Sequence, residues 1–244
     1  MRVVRGSARR WGLLLAAMVF GSACGQTRDG GPPGLSAGAT EPGAESTAEA
    51  RLAQETDPGG TSAAPALEAG QAEAILAGGC FWCMEGPLEA IDGVLSVTSG
   101  YTGGHEEHPR YEAVGTSRTG HVEAVRVVYD PSRVRYEQLL EVYWRNVDPT
   151  QDDGQFCDRG PQYRAAIFVR DESERALATA SRAQVARALH AEVVTEIRDA
   201  AVFWVAEDYH QDYYRTHPTR YQTYRQGCGR DRRLEALWGE SAAH

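Results

Sequence analysis

The chain has 244 residues, with 34 acidic side chains against 25 basic ones, every one of them arginine, and a formal net charge of −9. That balance supplies no basic field with which to gather nucleic acid, so that class of partner is set aside. A hydrophobic share of 42% beside 24% charged residues suits a soluble folded protein with one generous core or two small ones.

At the start of the chain, Arg2, Arg5, Arg9 and Arg10 precede an apolar run from Trp11 to Phe20 and the small residues Gly21, Ser22 and Ala23. This is the build of an export signal, and the run is too short for a membrane-spanning helix, which needs about 20 apolar residues. Small residues ending in Cys24 resemble the lipobox of bacterial lipoproteins, where the cysteine becomes the lipidated first residue. Gly21 stands where leucine is usual in that pattern, so plain cleavage near Gly21 to Ala23 is the alternative. Both outcomes predict an exported protein of the cell envelope or periplasm, and lipidation of Cys24 would make it a membrane anchor. Residues 25–70 are mostly Gly, Pro, Ala, Ser, Thr and Glu with almost no large apolar side chain, a composition that cannot offset the entropy of ordering. The predicted organisation is an export signal over 1–24, a flexible tether over 25–70 and one folded domain over 71–244.

Within that domain the apolar run "EAILAGG" predicts a short buried strand stopped by glycines, and "CFWCMEGPLEAI" has helical spacing from about Cys80. "GVLSVTSGYTGG" and "HVEAVRVVYDP" alternate as strands, the second ended by Asp130 and Pro131. "YEQLLEVYWRNV" predicts an amphipathic helix, "YRAAIFVR" a strand, and "DESERALATASRAQVARAL" a longer helix with an acidic start. "VVTEIRD" and "AVFWVAE" read as short strands, and beyond Asp208 the chain turns aromatic, polar and irregular in pattern. Strands and helices mix without strict alternation, which favours α+β with one sheet backed by helices over a doubly wound fold.

The chemistry concentrates at Cys80. It sits where a strand gives way to a helix, so free backbone N–H groups and the helix dipole can stabilise a thiolate, and Gly78 and Gly79 leave room for another molecule to reach the sulfur. A zinc site is disfavoured, because Cys157 and Cys228 are isolated and no second Cys-x-x-Cys or His pair follows; no metal is expected. Phe81 and Trp82 beside the nucleophile suggest a small apolar pocket for a methyl group. A methyl sulfoxide joins such a methyl to an electrophilic sulfur, and its oxygen needs an acid to protonate it. Glu85 and Glu123 both qualify, and Glu123 would have a raised pKa if its strand turns it inwards. A thiol–disulfide oxidoreductase and a partner-binding surface lipoprotein are the competing readings; the first would give no reason for "GHVEAV" or "DRGPQYR", and the second would leave Cys80 dispensable.

Five stretches, "GCFWCME" (79–85), "GYTGG" (100–104), "GHVEAVRVVYDP" (120–131), "CDRGPQYRAAIF" (157–168) and "AEDYHQDYY" (206–214), together resemble the A-type peptide methionine sulfoxide reductases and keep that family's order across residues 73–238. The resemblance implies a two-layer α/β sandwich with a mixed sheet, a ferredoxin-like core, and a long irregular C-terminal segment. It implies reduction of methionine-S-sulfoxide, free or in proteins, to repair oxidised proteins without a bound cofactor. Cys80 would attack the sulfoxide sulfur, Phe81 and Trp82 would hold the methyl, and Glu123 would donate the proton, which demotes Glu85. Tyr111, Asp158 and Tyr163 would orient substrate and water. A sulfenic acid on Cys80 would then be resolved to a disulfide that an external thiol, thioredoxin or a thioredoxin-like protein, reduces. Longer-tailed members carry two tail cysteines and this chain has one, so Cys228, flanked by Gly227 and Gly229 in a tail free to swing, is the first choice of resolver. Cys83, one turn from Cys80, is the rival, Cys157 a bystander, and a monomer the default.

Overall fold

The computed structural model describes residues 61–239, so the export signal, Cys24 and the tether up to residue 60 lie outside the described residues. The strands are β1 (Ser62–Ala63), β2 (Ala72–Ala77), β3 (Val94–Thr102), β4 (Val122–Tyr129), β5 (Gly154–Gln155), β6 (Asp158–Arg159), β7 (Ala166–Val169), β8 (Glu196–Asp199) and β9 (Trp204–Val205). Helices are α1 (Trp82–Glu89), α2 (Tyr111–Gly115), α3 (Tyr136–Arg145), α4 (Glu172–Leu189), α5 (Tyr213–Thr216), α6 (Pro218–Cys228) and α7 (Arg230–Trp238). Seven strands form one sheet in the order β1-β9-β3-β4-β2-β7-β8, antiparallel throughout except for the parallel β7–β8 pair, and β5 and β6 make a separate small hairpin. This is the mixed α+β sandwich that the sequence predicts.

Central position explains why β4 is buried along its whole length. Its alternate residues serve two faces, because side chains in a strand have a period of two. Val125, Val127 and Tyr129 join Ala74, Leu76 and Ile167 in the main core under the helices, whereas Val122 and Ala124 join Ile75, Ala77 and Phe168 in a smaller cluster on the other face. Helix α3 meets the main core with Tyr136, Leu139, Leu140, Tyr143 and Trp144, the spacing of one helical stripe. Burying each of these leucines contributes roughly 1.5–3 kcal/mol relative to exposure. Tyr143 also bolts α3 to the sheet, its hydroxyl donating to Ala77 O at 2.9 Å. Helix α4 begins at Asp171, whose side chain accepts from Glu174 N–H, and ends at His190 in the left-handed region.

Two boundaries differ from expectation. Thr61 to Ala63 already belong to the folded body: β1 pairs with β9, and buried Thr61 Oγ1 donates to Pro109 O at 2.7 Å. A short edge strand is held by backbone hydrogen bonds, so low apolar content did not exclude it. The segment expected to be irregular is helical over most of 213–238. Its buried residues are Tyr221, Arg225 and Arg230 with a single aliphatic one, Leu234, too few for an aliphatic periodicity to register. Gly227 lies inside α6, and Gly229, with φ +71°, makes the left-handed turn that redirects the chain into α7. The glycines therefore shape a helical corner in place of a swinging tail.

Gly100 on β3 shows how tightly the sheet edge is packed. A Cβ there would fall 2.3 Å from Trp204 O and 2.4 Å from the Phe203 ring. Overpacking of this kind costs about 1–3 kcal/mol, so Gly100→Ala is expected to lower the melting temperature by several degrees. An unchanged thermal midpoint would show that β9 moves aside freely.

Candidate active site

Strand β2 ends at Ala77, and Gly78 and Gly79 turn the chain towards α1, with Cys80 just before the helix and Cys83 in its first turn. Gly79 has φ +80°, and a Cβ there would lie 2.5 Å from Gln155 Cβ; one on Gly78 would lie 2.5 Å from Met84 Sδ. These glycines are required by the protein's own packing, not by a molecule approaching the sulfur. Cys80 and Cys83 are both free thiols and both buried, at 6% and 1% exposure.

The parity of β4 decides the orientation of Glu123. It shares a face with Val125 and Val127, pairs across the ladder with Tyr101, and is 3% exposed. Its Oε2 accepts the Phe81 N–H at 3.1 Å, so the amide next to Cys80 serves the carboxyl instead of a thiolate. Burial pushes the Glu123 pKa well up against the pull of that hydrogen bond, which favours the protonated carboxyl. Glu85 is different. Its Oε1 accepts from Ser99 Oγ at 2.9 Å and from Asp212 N–H at 3.3 Å, tying α1 to β3 and to the entry of α5. Burial raises it to about 7, but its partners are structural.

Aromatic side chains wall the site. Trp82 stacks on Tyr213 with ring centroids 3.8 Å apart, meets Tyr224 edge-on at 5.9 Å, and donates from Nε1 to His210 Nδ1 at 3.2 Å. Burial drives His210 down to about 3, so the ring is neutral and its 3.9 Å approach to Glu207 is no ion pair. Phe81, Tyr111 and His210 pack together, with His210 centroids 5.0 Å from Phe81 and 4.6 Å from Tyr111. Glu207 holds two of these elements at once, accepting from Tyr101 OH at 2.8 Å and from Tyr111 N–H at 2.9 Å. Tyr163, on the 3₁₀ turn Pro161–Tyr163, hydrogen-bonds Tyr111, and burial raises both phenols above their ordinary range.

Asp158 opens β6 and accepts from Tyr224 OH at 2.5 Å. On one side of it stands a feature the sequence reading missed: Cys157 and Cys228 form a disulfide. Cys157 is therefore no bystander, and Cys228 faces Cys157, not Cys80. The physical reason is the helical corner, which fixes Cys228 at the end of α6 over the β5–β6 hairpin. The donor atoms of Cys157, Asp158 and Cys228 gather within 4.8 Å, but the two sulfurs are bonded to each other. In chain-entropy terms a cross-link across a 71-residue separation is worth about 4 kcal/mol.

Electrostatics divide the remaining thiols. Burial pushes Cys80 well up, and its hydrogen bond with Cys83 and the neighbouring acids Glu123 and Asp158 push the same way. Cys83 is pulled down, first by that hydrogen bond from Cys80 and then by Arg230 and Arg225 against its burial. These surroundings favour the protonated form at Cys80 and the ionised form at Cys83, whereas the strand-to-helix position had suggested thiolate stabilisation at Cys80.

The family model described as peptide methionine sulfoxide reductase matches residues 72–242. The chain belongs to this family. The reductase is 52% identical over 178 residues to peptide methionine sulfoxide reductase MsrA 2 of Caulobacter vibrioides, covering 72% of this chain and 90% of that one. To MsrA of Bacillus licheniformis it is 48% identical over 168 residues, covering 68% and 93%. Among solved structures it is similar to methionine sulfoxide reductase A of Corynebacterium diphtheriae, with a TM-score of 0.56, 31% identity, and coverage of 62% and 77%. Reduced Mxr1 from Saccharomyces cerevisiae aligns with a TM-score of 0.59 at 26% identity, covering 65% and 90%. The reductase is an enzyme acting on methionine sulfoxide through redox-active cysteine. Its structure brings Cys80, Cys83, Phe81, Trp82, Tyr111, Glu123, Asp158 and Tyr163 to one place, and adds Glu207, His210, Tyr213, Tyr224, Arg225 and Arg230. Of the added residues, Glu207, His210 and Tyr213 lie in the stretch "AEDYHQDYY" that carried the resemblance, whereas Tyr224, Arg225 and Arg230 had no sequence signal.

Proposed function

We propose that this reductase takes the S epimer of methionine sulfoxide, free or within proteins, with Cys80 as nucleophile, Glu123 as proton donor and Cys83 as resolving thiol. The observation that carries the reading is the Phe81 N–H bond to Glu123 Oε2, which fixes a buried, protonated carboxyl beside the reacting sulfur. Phe81 and Trp82 receive the methyl, while Glu123 with the Tyr111 and Tyr163 hydroxyls receives the oxygen. Asp158, held by Tyr224, closes the side. Sulfoxide sulfur is pyramidal, so fixing methyl, oxygen and attacking sulfur leaves one direction for the rest of the substrate, and one hand fits.

Attack by Cys80 sulfur on the sulfoxide sulfur is accompanied by transfer of the Glu123 proton to oxygen, and the Cys80 proton passes to Cys83 through the hydrogen bond between them. Methionine leaves and Cys80 becomes a sulfenic acid. Cys83 then attacks Cys80 sulfur, and the displaced hydroxyl departs as water. The choice of Cys83 over Cys228 follows from the pairing of Cys228 with Cys157. An external thiol, thioredoxin or a thioredoxin-like protein, completes the cycle by exchange. The N-terminal signal supports an exported, envelope-located protein anchored through a lipid on Cys24, with a donor outside the cytosol; mass measurement of the mature N-terminus decides between lipidated Cys24 and plain cleavage.

After mild reduction that leaves Cys157–Cys228 bonded, excess methionine-S-sulfoxide without further reductant is expected to yield one equivalent of methionine. Peptide mapping should then show a new Cys80–Cys83 link beside an intact Cys157–Cys228. A Cys80–Cys228 link would move the resolver to α6, and absence of methionine would remove the whole reading.

A further inference from the structure

Two links join the β5–β6 hairpin to α6, one inside the site and one at the surface. The inner link is the hydrogen bond from Tyr224 OH to Asp158 Oδ2 at 2.5 Å, in the wall where Tyr224 also meets the edge of Trp82. The outer link is the Cys157–Cys228 bond, with Cys157 exposed and Cys228 half-buried beside an open hollow that Phe156, Gly229 and Arg232 also line. Each cysteine is tied to one member of the inner pair: Cys157 directly precedes Asp158, and Cys228 follows Tyr224 by one turn of α6. Cys157 N–H points at Cys228 Sγ at 3.2 Å, and Cys157 Sγ lies 3.8 Å from Asp158 Oδ1, the oxygen not bonded to Tyr224. The hairpin strands pair Gly154 with Arg159 and Gln155 with Asp158, which leaves Phe156 and Cys157 as a two-residue turn. Phe156 stands there in the left-handed region at φ +57°, a conformation that a bulky residue keeps only where its surroundings impose it. Its ring packs with Leu234 and lies 4.4 Å from the Arg230 guanidinium, and the next residue carries the cross-link.

We propose that Cys157 and Cys228 are positioning residues: while bonded, they hold the hairpin against α6 so that Asp158 and Tyr224 meet, and thereby set the affinity of the site for its sulfoxide substrate. This rests on the reading above that Asp158 closes the side of the substrate site. Other groups meet the methyl, the oxygen and the attacking sulfur in that reading, so loosening the Asp158–Tyr224 pair removes binding that substrate and transition state share. KM then rises while kcat stays in place. Opening the bond removes one restraint on the Phe156 turn and leaves the other, the packing of its ring, so the hairpin shifts without leaving the fold. An external dithiol supplies the two electrons and two protons. Its thiolate attacks one sulfur of the pair, its second thiol closes the mixed disulfide on itself, and Cys157 and Cys228 are left as thiols. The class of reagent that recycles the enzyme thus also weakens its hold on substrate once it reaches the exposed pair.

The test measures binding and chemistry apart. In full-length Cys80→Ser, which cannot turn over, equilibrium dialysis gives the Kd for methionine-S-sulfoxide in three forms: Cys157–Cys228 bonded, the pair opened by a dithiol that is then removed without air, and both cysteines replaced by serine. Opening and replacement should each weaken binding by roughly five- to tenfold. With Cys80 present, single-turnover methionine release should show the same rise in half-saturating concentration and a maximal rate within about twofold of the bonded protein. Tyr224→Phe should weaken binding by a similar factor, and in that background loss of the disulfide should add less than about twofold, because both changes break one contact. Opening the bond in place and Tyr224→Phe keep the test decisive if the double serine variant does not fold. Equal affinity in the bonded and opened forms would overturn the inference alone, as would a loss of affinity that multiplies in full with Tyr224→Phe. A bonded protein that neither binds nor reduces the sulfoxide would overturn the proposed function, and the inference with it.

Discussion

Replacing Cys80 with serine is expected to abolish methionine formation, with kcat/KM falling by at least about four orders of magnitude. Serine keeps the size of the side chain and the turn made by Gly78 and Gly79, so the fold persists and thermal midpoints stay close. What disappears is the polarisable sulfur that can form a sulfenic acid. A serine hydroxyl at this position is far less acidic and less nucleophilic than the thiol it replaces. Coupled reductant oxidation and direct methionine detection should agree; a variant retaining more than about a hundredth of the wild-type rate would place the chemistry on another thiol. Cys83→Ser separates the steps, because it should still release one equivalent of methionine and leave a sulfenic acid on Cys80 that a dimedone-type trap captures.

Glu123→Gln is expected to lower kcat by about 10²–10⁴-fold with a much smaller change in KM. The amide can still accept the Phe81 N–H and fill the same space, but it has no proton to give. The pH dependence identifies the role. Burial raises the Glu123 pKa, so the wild-type rate should fall as pH rises through that raised value, and the glutamine variant should lose this alkaline limb. Wild-type stability falls in the same direction. Above the ordinary glutamate pKa the unfolded state is ionised while the folded carboxyl remains protonated, so wild-type stability declines as pH rises. Glutamine escapes that decline, and at pH 8 the variant should be at least as stable as the wild type. A variant that is both inactive and unstable at pH 8 would point to a structural role instead.

The two chemical residues were legible for different reasons. Cys80 announced itself locally, between glycines and aromatics at a strand-to-helix junction. Glu123 was ambiguous by pattern, since one polar residue in an alternating strand can face either way; its orientation follows from β4 being central and buried on both faces. Strands β2, β3, β4, β7 and β8 and helices α1, α3 and α4 were readable because their cores are aliphatic and their periods clear, whereas β1, α2, β5 and β6 are too short to carry a period. Residues after Asp208 were not, because a helix whose buried stripe is tyrosine and arginine has no conventional hydrophobic signature. The same blindness hid Arg225 and Arg230, whose relation to Cys83 exists only once α6 and α7 fold back over α1. Disulfide pairing between Cys157 and Cys228 is a long-range fact of the same kind, invisible to spacing.

That cross-link also changes what kind of object the chain is. Residues 157 to 228 form a closed ring through β6, β7, α4, β8, β9, α5 and α6, with Cys80 and Glu123 in the part of the chain before it. The exposed stretch around Arg187 and His190 lies on the ring. A single scission there divides the site's walls between two pieces, Cys80, Glu123 and Asp158 on one, Glu207, His210 and Tyr224 on the other, yet leaves the pieces covalently tied and at high effective concentration. Reduction then removes the covalent tie and leaves only sheet pairing, β8 with β7 and β9 with β3, to hold the pieces together. A clipped molecule thus depends covalently on one bond of the same chemical type that the enzyme's own recycling agent exists to break, so plentiful reductant weakens clipped copies more than intact ones.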